Sequence, residues 1–480
     1  MNNDTIFALS SGFGKAGIAV IRISGGDLAE FFKETLFPLA GKWVPPNGSG
    51  TLENDSQTPL SCLAALPQST LSPAKGIKSR HAYLINLRDD NGDLIDQCIA
   101  IYFQAPNSFT GEDIIEIHSH GAAAVIEKIF SHLRAHGMRM AEPGEFSRRA
   151  FYNDKMDLTE IDGLAALLDA RTEKQRESAL KSMTGGDSAV YEIWRAKMIE
   201  ISAYAAAILD YPSDELPEDI GEKLFEHTRN LQDEITAALN GYAAVRAMRS
   251  GFNIVLTGKT NVGKSSLFNR LVGSARAIVS DIPGTTRDVV SADLDIDGYL
   301  VRLSDTAGIR ESDDIIEKIG IERTQAEIKN ADLVIKVEIG KSKIESEKAN
   351  EIIVVNKSDI INKSEIRTEG VEANQKSAIF VSALTGDGVP ELLDIIKQKV
   401  HADLDSAESY IAVNERTREL LNIARTELKS AIDSQKSKIG DYDLFAEHVR
   451  AASYAIGKIL GVICSDEIAD AAASQLCLGK

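Results

Sequence analysis

Cysteine is scarce in this 480-residue sequence. The four present (Cys62, Cys98, Cys464 and Cys477) form no C-x-x-C pair, which argues against a disulfide framework and a zinc ribbon and fits a reduced, cytoplasmic setting. Positive charge is also short: 53 Lys and Arg stand against 72 Asp and Glu, net −19. Such a chain does not attract nucleic acid through its overall field, so any such contact needs a local basic patch or a helper subunit. No apolar run approaches the roughly 18–20 residues that span a bilayer, and Met1-Asn2-Asn3-Asp4 lacks the basic start of a secretory leader. A 43% hydrophobic, 26% charged composition is that of a globular protein, long enough for several domains.

Residues 5–35 read as short β-type runs, with strands over Thr5–Leu9 and Gly17–Ile23. Residues 38–79 are rich in Pro, Gly, Ser and Asn and read as a loop or insertion. Strand patterns return from His81 to His118, followed by a helix near Ala122–His136. Near residue 157 the period changes. Asp157 with Glu160 resembles a capping box, and Ile161, Leu164, Ala165 and Leu168 repeat at helical spacing. Residues 251–403 alternate apolar strand runs with helical segments, which predicts a parallel α/β sheet. Helical spacing resumes after 404, with Leu420, Ala424, Leu428 and Ile432 on one stripe. The expected organisation is an α/β unit over 1–153, a helical domain begun over 154–250 and completed over 404–480, and an α/β domain over 251–403 inserted within it.

The run Gly258-Lys259-Thr260-Asn261-Val262-Gly263-Lys264-Ser265 fits G-x-x-x-x-G-K-[ST] between a strand and the helical run that begins at Ser266. Glycines let backbone N–H groups curl around phosphate oxygens, Lys264 reaches the β/γ-phosphates, and Ser265 ligates Mg²⁺. Asp305-Thr306-Ala307-Gly308 ends a strand, placing Asp305 to hold Mg²⁺ through water and the Gly308 N–H to meet the γ-phosphate. Asn356-Lys357-Ser358-Asp359 follows another strand. A carboxylate there accepts both guanine N1–H and N2–H₂ donors, which adenine lacks, so an ATP-driven reading fails on Asp359. Ser382-Ala383-Leu384 follows a third strand and offers a backbone N–H to guanine O6. Between them, Gly284-Thr285-Thr286 reads as a switch segment whose Thr286 closes on Mg²⁺. Together these motifs resemble the translation-factor-like branch of the Ras-like P-loop GTPases. Ras-type enzymes place a water-orienting Gln after D-x-x-G; here Ile309 stands there, so hydrolysis needs another group. Asn261 in the P-loop resembles the position that helps bind K⁺ in potassium-activated GTPases, where the ion stands in for an arginine finger; a turn-forming residue is the alternative reading.

The flanks carry a more specific resemblance. Asp4-Thr5-Ile6, Gly17–Gly25, Pro106–Asp113, Pro143–Phe151 running into Asn153–Leu158, and the terminal Cys477-Leu478-Gly479-Lys480 are similar to the TrmE-type family of tRNA wobble-uridine modification GTPases. The resemblance implies a homodimer formed through the N-terminal domain, which binds a tetrahydrofolate derivative (5-formyl or 5,10-methylene) through Arg22, Glu116, Lys155 and Lys480. It implies a water-activating carboxylate at Glu317 and a K⁺ site made by Asn261 with oxygens of Ser280, Ile282 and Thr285, in the loop Ser280-Asp281-Ile282-Pro283-Gly284-Thr285-Thr286. It further implies a flavin-containing partner of the MnmG type, with FAD, in a heterotetramer or larger complex that modifies C5 of the wobble uridine of certain tRNAs. Such a partner resolves the acidic balance by supplying basic tRNA-binding surface. Arg148, Arg149, Lys155, Arg171, Lys174 and Arg176 could add local contacts, with solvated helix charges as the plainer reading. Cys477 is a candidate nucleophile; a small apolar residue near a chain end is the other reading. The tail departs from the family in the small-residue run Ala469–Ser474.

Other signals lead nowhere. Gly12-Phe13-Gly14-Lys15-Ala16-Gly17 matches G-x-G-x-x-G but precedes a strand-like run, so it is no dinucleotide fingerprint. His118-Ser119-His120 puts two imidazoles on one strand face without a third ligand. A ribosome-assembly GTPase of the Era type is the competing function; it expects an RNA-binding module after the GTPase, where this sequence looks helical.

Overall fold

The computed structural model describes residues 4–12, 14–36, 77–212, 214–278, 290–305, 327–339, 350–360, 378–434 and 442–461. They fall into two compact units that divide after Asp157.

The first unit is built on β1 (Ile6–Leu9), β2 (Ala16–Gly25), β3 (Ala82–Arg88), β4 (Leu94–Phe103), β5 (Asp113–Gly121) and β6 (Arg139–Met140), in the spatial order β3-β4-β5-β2-β1-β6. Only the β1–β6 pair is parallel. In β3, Tyr83, Ile85 and Leu87 alternate inward while their neighbours face out, the period-2 signature of a sheet with one wet face. Helix α2 (Ala123–Ala135) covers that core with Ile126, Ile129, Phe130 and Leu133 at helical spacing. Helix α3 (Glu145–Tyr152) follows β6. The β-type reading of 5–35 needs correction at its end: α1 (Leu28–Phe31) runs into a π-helical turn over Phe32–Leu36. Leu28, Phe32 and Leu36 are all buried there, a four-residue repeat that belongs to a helix.

The second unit begins with α4 (Leu158–Asp169), directly after Asp157, then α5 (Glu173–Met183), α6 (Gly186–Asp210), α7 (Ile220–Asn240) and α8 (Tyr242–Ser250). Helices α4 and α5 approach closely at Gly163, where a Cβ would lie 2.4 Å from the Met183 backbone nitrogen. An α/β segment follows, and the chain returns to helix in α11 (Glu415–Ser434) and α12 (Tyr442–Leu460). Residues on both sides of the α/β segment build one core: Tyr191, Trp194, Met198, Leu231 and Ile235 pack with Leu421, Leu428, Phe445, Val449 and Ile456. On α11 the fully buried stripe runs through Leu421, Ala424 and Leu428, with Leu420 only partly covered.

The α/β segment holds β7 (Phe252–Thr257), α9 (Lys264–Ser274), β8 (Arg276–Ile278), β9 (Val290–Ile296), β10 (Tyr299–Asp305), β11 (Leu333–Glu338), β12 (Glu351–Val355), β13 (Ile379–Phe380) and α10 (Val389–Leu404). The order is β13-β12-β11-β7-β10-β9-β8. Strands β13 to β10 are parallel, and β9 and β8 are antiparallel additions, so the expected all-parallel sheet is a mixed one. The cause is local. Asp297 and Gly298 have φ of 51° and 88°, and Ile296 pairs with Tyr299, a two-residue hairpin whose Asp-Gly pair tolerates left-handed backbone. The buried β7, β10 and β11 put the ends of parallel strands, and the loops after them, along one edge.

Candidate functional site

The loop between β7 and α9 is shaped by three residues of positive φ: Gly258 (140°), Asn261 (63°) and Gly263 (91°). Two of these have no room for a side chain. A Cβ on Gly258 would lie 2.2 Å from the Val337 carbonyl oxygen, and one on Gly263 would lie 2.3 Å from Asn356 Nδ2. The loop therefore folds tightly against β11 and the segment after β12. Lys264 opens α9, is 7% exposed, and its Nζ donates to the carbonyls of Gly258 at 2.9 Å and Lys259 at 3.0 Å. That places an ammonium and a helix N-terminus at one cradle, the arrangement that binds phosphate.

Ser265 Oγ donates to Asp305 Oδ2 at 2.8 Å. Asp305 ends β10 and is buried. A hydroxyl and a carboxylate side by side are hard oxygen donors that fit Mg²⁺.

On the far side of the cradle, Asn356 is buried and uses both ends of its amide: Nδ2 donates to the Val262 carbonyl at 2.9 Å, and Oδ1 accepts from the Ala383 N–H at 3.0 Å. Lys357, itself at φ 63°, reaches the Asn261 carbonyl at 3.3 Å. Ser382 is fully buried, and its hydroxyl donates to Asp359 Oδ1 at 2.7 Å while accepting from the Thr385 N–H at 3.2 Å. Asp359 is thereby held facing a cleft of about 620 Å³ whose walls include Gly263, Ser266, Ser382, Ala383 and the exposed Leu384. Sequence reasoning missed Arg270 of α9. Its guanidinium donates to the carbonyls of Ala383 and Leu384, fixing the peptide units that would face a purine ring. No local motif marks it, because its partners lie 113 and 114 residues away.

Gly263, Ser266, Asn356, Lys357, Asp359, Ser382, Ala383 and Leu384 line this cleft, and hydrogen bonds tie Asn261 and Val262 to the same segments and join Lys264 to the loop carbonyls and Ser265 to Asp305. Ser280, Asp281, Ile282, Pro283, Gly284, Thr285, Thr286, Thr306, Ala307, Gly308, Glu317, Cys477 and Lys480 lie outside the described residues.

In the first unit, Arg22 of β2 and Glu116 of β5 are direct cross-strand partners. Arg22 Nε and Nη2 donate to Glu116 Oε1 at 3.0 and 2.8 Å, and the guanidinium carbon lies 5.3 Å from the Phe109 ring centre and 6.0 Å from that of Phe146. A half-exposed cation between aromatic faces, paired to a carboxylate, offers donors, acceptors and a flat apolar wall together, which suits a planar heterocycle bearing carboxylates. Lys155 lays its stem beside Gly111, whose absent Cβ would sit 3.2 Å from Lys155 Cε.

The same unit carries a charge network in which Glu145 and Arg149 are buried and Asp4, Glu112 and Arg139 are partly exposed. Arg149 bonds to Glu112 at 2.9 Å, to Asp4 at 3.0 Å and to Glu145 at 3.2 Å, and Arg139 grips Glu145 with two nitrogens. Burial alone would raise the Glu145 carboxyl, but the Arg139 guanidinium, the Glu142 N–H and Arg149 outweigh it and hold the group at about 2.

The basic residues considered for tRNA contact mostly meet acids: Arg148 pairs with Glu142, Arg171 with Asp293, Lys174 with Glu177 and Arg176 with Glu173. His118 neighbours Glu116, which it shares with Arg22, and His120 binds Asp96, so the two imidazoles of that strand face different carboxylates.

Comparison with known proteins identifies the family. Residues 5–155 match the family described as GTP-binding protein TrmE N-terminus, and residues 158–477 match the MnmE helical domain. The tRNA modification GTPase MnmE of Agrobacterium fabrum is 36% identical over 483 residues, covering 99% of each chain. The protein of the same name from Brucella abortus is 36% identical over 483 residues, covering 100% of this chain and 98% of its own. Among solved structures, a variant of Aquifex aeolicus Era bound to GDP·AlF4⁻ is 21% identical over 36% of this chain and 66% of that one, with a TM-score of 0.22, a likeness too slight to argue from.

Proposed function

The chain belongs to the MnmE (TrmE) family of tRNA modification GTPases, and from that premise we propose how its residues divide the work. It is a GTPase acting in tRNA modification; the finer assignment is ours. Residues 251–403 form the GTPase domain, inserted into a helical domain made of 154–250 and 404–480, with 1–153 as the folate-binding and dimerising domain. The common core of α6, α7, α11 and α12 supports that insertion.

GTP binds with its phosphates on the Gly258–Ser265 loop and its guanine in the cleft beside Asp359. Lys264 turns from the loop carbonyls to the β/γ-phosphates. Ser265 and Thr286 hold Mg²⁺, Asp305 acts through water, and the backbone of Thr306, Ala307 and Gly308 faces the γ-phosphate. Mg²⁺ held there would neutralise charge on the β- and γ-phosphates. Asn261 with Ser280, Ile282 and Thr285 selects K⁺, which supplies the positive charge that an arginine finger supplies elsewhere. Glu317 orients the attacking water in place of the glutamine that Ile309 cannot mimic. Arg22, Glu116, Lys155 and Lys480 hold the tetrahydrofolate derivative that donates the one-carbon unit, with Cys477 as the candidate nucleophile. An MnmG-type FAD protein completes the complex with the homodimer in the cytoplasm, and together they add an aminomethyl-type group at C5 of the wobble uridine.

The observation that carries the nucleotide assignment is the Ser382–Asp359 hydrogen bond at 2.7 Å, which holds a carboxylate at a cleft large enough for a purine whose walls also include Gly263 of the glycine-rich loop. The test is hydrolysis of GTP and ATP in KCl and in NaCl at equal ionic strength. GTP alone, turned over faster in KCl, is expected. Turnover of ATP would overturn guanine selection, and equal rates in the two salts would overturn the potassium role. Among the described residues after 404, α11 and α12 belong to the helical core, and nothing there favours the Era-type reading.

A further inference from the structure

Lys128 and His132 of α2 and His136 at its C-cap follow one another at four-residue spacing, which sets them along one side of the helix. The β3–β4 turn lies against that stripe. Asp89 accepts from the N–H groups of Asn91 and Asp93, which closes the turn, and Lys128 pairs with Asp89 at 2.7 Å. This pairing sets the next residue, Asp90, against the two imidazoles: Asp90 Oδ1 is 3.6 Å from His132 Nδ1 and 3.7 Å from His136 Nε2.

Those separations are too long for hydrogen bonds. Three lone-pair atoms, one from each residue, lie within 4.8 Å of one another without bonding together. Around a tetrahedral ion with ligands at about 2.0–2.1 Å, neighbouring donors stand about 3.3 Å apart; the two Asp90–histidine sides are already near this, and the triangle closes on a cation as the imidazoles draw together. The tautomer of His136 is also set. Its Nδ1 lies 2.9 Å from the His132 carbonyl, which can only accept, so Nδ1 carries the proton and Nε2 presents its lone pair toward Asp90. A backbone carbonyl holding the second nitrogen is how ligating histidines are oriented in metal sites. Asp89 and Asp93 beside the single Lys128 add negative charge that favours a dication.

We propose that Asp90, His132 and His136 form a three-ligand site for a divalent transition metal of the zinc class, which fastens the β3–β4 turn to α2 and keeps a fourth position open to water. Two imidazoles and one carboxylate suit Zn²⁺ or Co²⁺ over Mg²⁺ and Ca²⁺. His132 is buried, whereas the Asp90 side chain is 64% exposed, so the ion has an entry path. This site is independent of the nucleotide and folate assignments.

The test titrates the full chain, stripped with a chelator and held in excess Mg²⁺ and GDP, with Co²⁺ and then Zn²⁺. One equivalent of Co²⁺ should give visible d–d absorption of tetrahedral nitrogen and oxygen ligation, displaced by Zn²⁺. Asp90→Asn alters an exposed side chain, and His136→Ala a partly exposed one that meets the Phe31 ring at 5.4 Å; each should weaken Zn²⁺ binding at least about tenfold, with circular dichroism showing that the fold is kept. Zn²⁺ should also raise the melting temperature of the natural chain and not of His136→Ala. Equal Zn²⁺ affinity in the natural chain and both variants would overturn the proposal. So would a Co²⁺ spectrum dominated by thiolate charge transfer that persists in His136→Ala, since that would put the ion on cysteine.

Discussion

Asn356 and Val262 are joined by a hydrogen bond of 2.9 Å from the asparagine Nδ2 to the valine carbonyl. Through it the Asn356–Asp359 segment after β12 grips the Gly258–Ser265 loop after β7, and the same side chain accepts from Ala383 at 3.0 Å. One buried amide thus ties three loops that follow three parallel strands. Replacing Asn356 by Ala leaves a buried carbonyl and a buried N–H unpaired, at roughly 1–3 kcal/mol each. Titration with a fluorescent GDP analogue is expected to show affinity reduced at least about tenfold, with the fold retained by circular dichroism. Unchanged affinity would mean the three loops are positioned by something else.

Asp359 presents acceptors only. An amide at the same position can donate, which matches the C2 carbonyl of xanthine better than the amino group of guanine. Asp359→Asn is expected to lower GTP affinity about 100-fold and to raise affinity for xanthosine triphosphate. Competition between the two nucleotides measures both changes in one experiment.

Arg22 donates through two nitrogens to one oxygen of Glu116. Lysine keeps the charge but loses the planar fork and its stacking on aromatic rings. Arg22→Lys is expected to weaken binding of 5-formyltetrahydrofolate about tenfold or more, as read by calorimetry, while GTP turnover stays within twofold of the natural chain. Undiminished folate affinity would remove Arg22 from the assignment.

Glu145 has a carboxyl held at about 2 in the folded protein against 4.5 ordinarily. A depressed carboxyl contributes stability that is full above the ordinary value and is lost as pH falls toward the folded value. The urea midpoint of Glu145→Gln should therefore lie below that of the natural chain at pH 7, and the gap should narrow as pH falls from about 5 toward 2. A gap independent of pH would assign the loss to packing.

Much of the proposed nucleotide site was legible because it is encoded in short runs. Gly258–Ser265 lies between a strand and a helix, and each of Asp305 and Asn356–Asp359 lies at a strand end. Other features depend on register between distant segments. Arg22 meets Glu116 across 94 residues only because β2 and β5 pair antiparallel, and Arg270 reaches Ala383 and Leu384 by the placement of α9. The mixed sheet had a local sign, Asp297-Gly298, which marks a hairpin inside a region whose strands otherwise alternate with helices. The helical run from Leu28 to Leu36 is short, so its repeat competes poorly with the β-rich residues before it. The metal triad escaped because Asp90 is far from α2 in sequence and reaches the histidines through the packing of β3 and β4 against α2 and the Lys128–Asp89 pair.

The central claim is that GTP bound and hydrolysed at the Lys264 loop serves modification of the wobble uridine. The most direct measurement is mass spectrometry of nucleosides from tRNA of cells whose own copy is deleted and replaced by either the natural chain or Lys264→Ala at matched abundance. The account predicts that the natural chain restores the C5-modified uridine and that Lys264→Ala does not. Full restoration by Lys264→Ala would contradict it, because the modification would then proceed without the GTPase site.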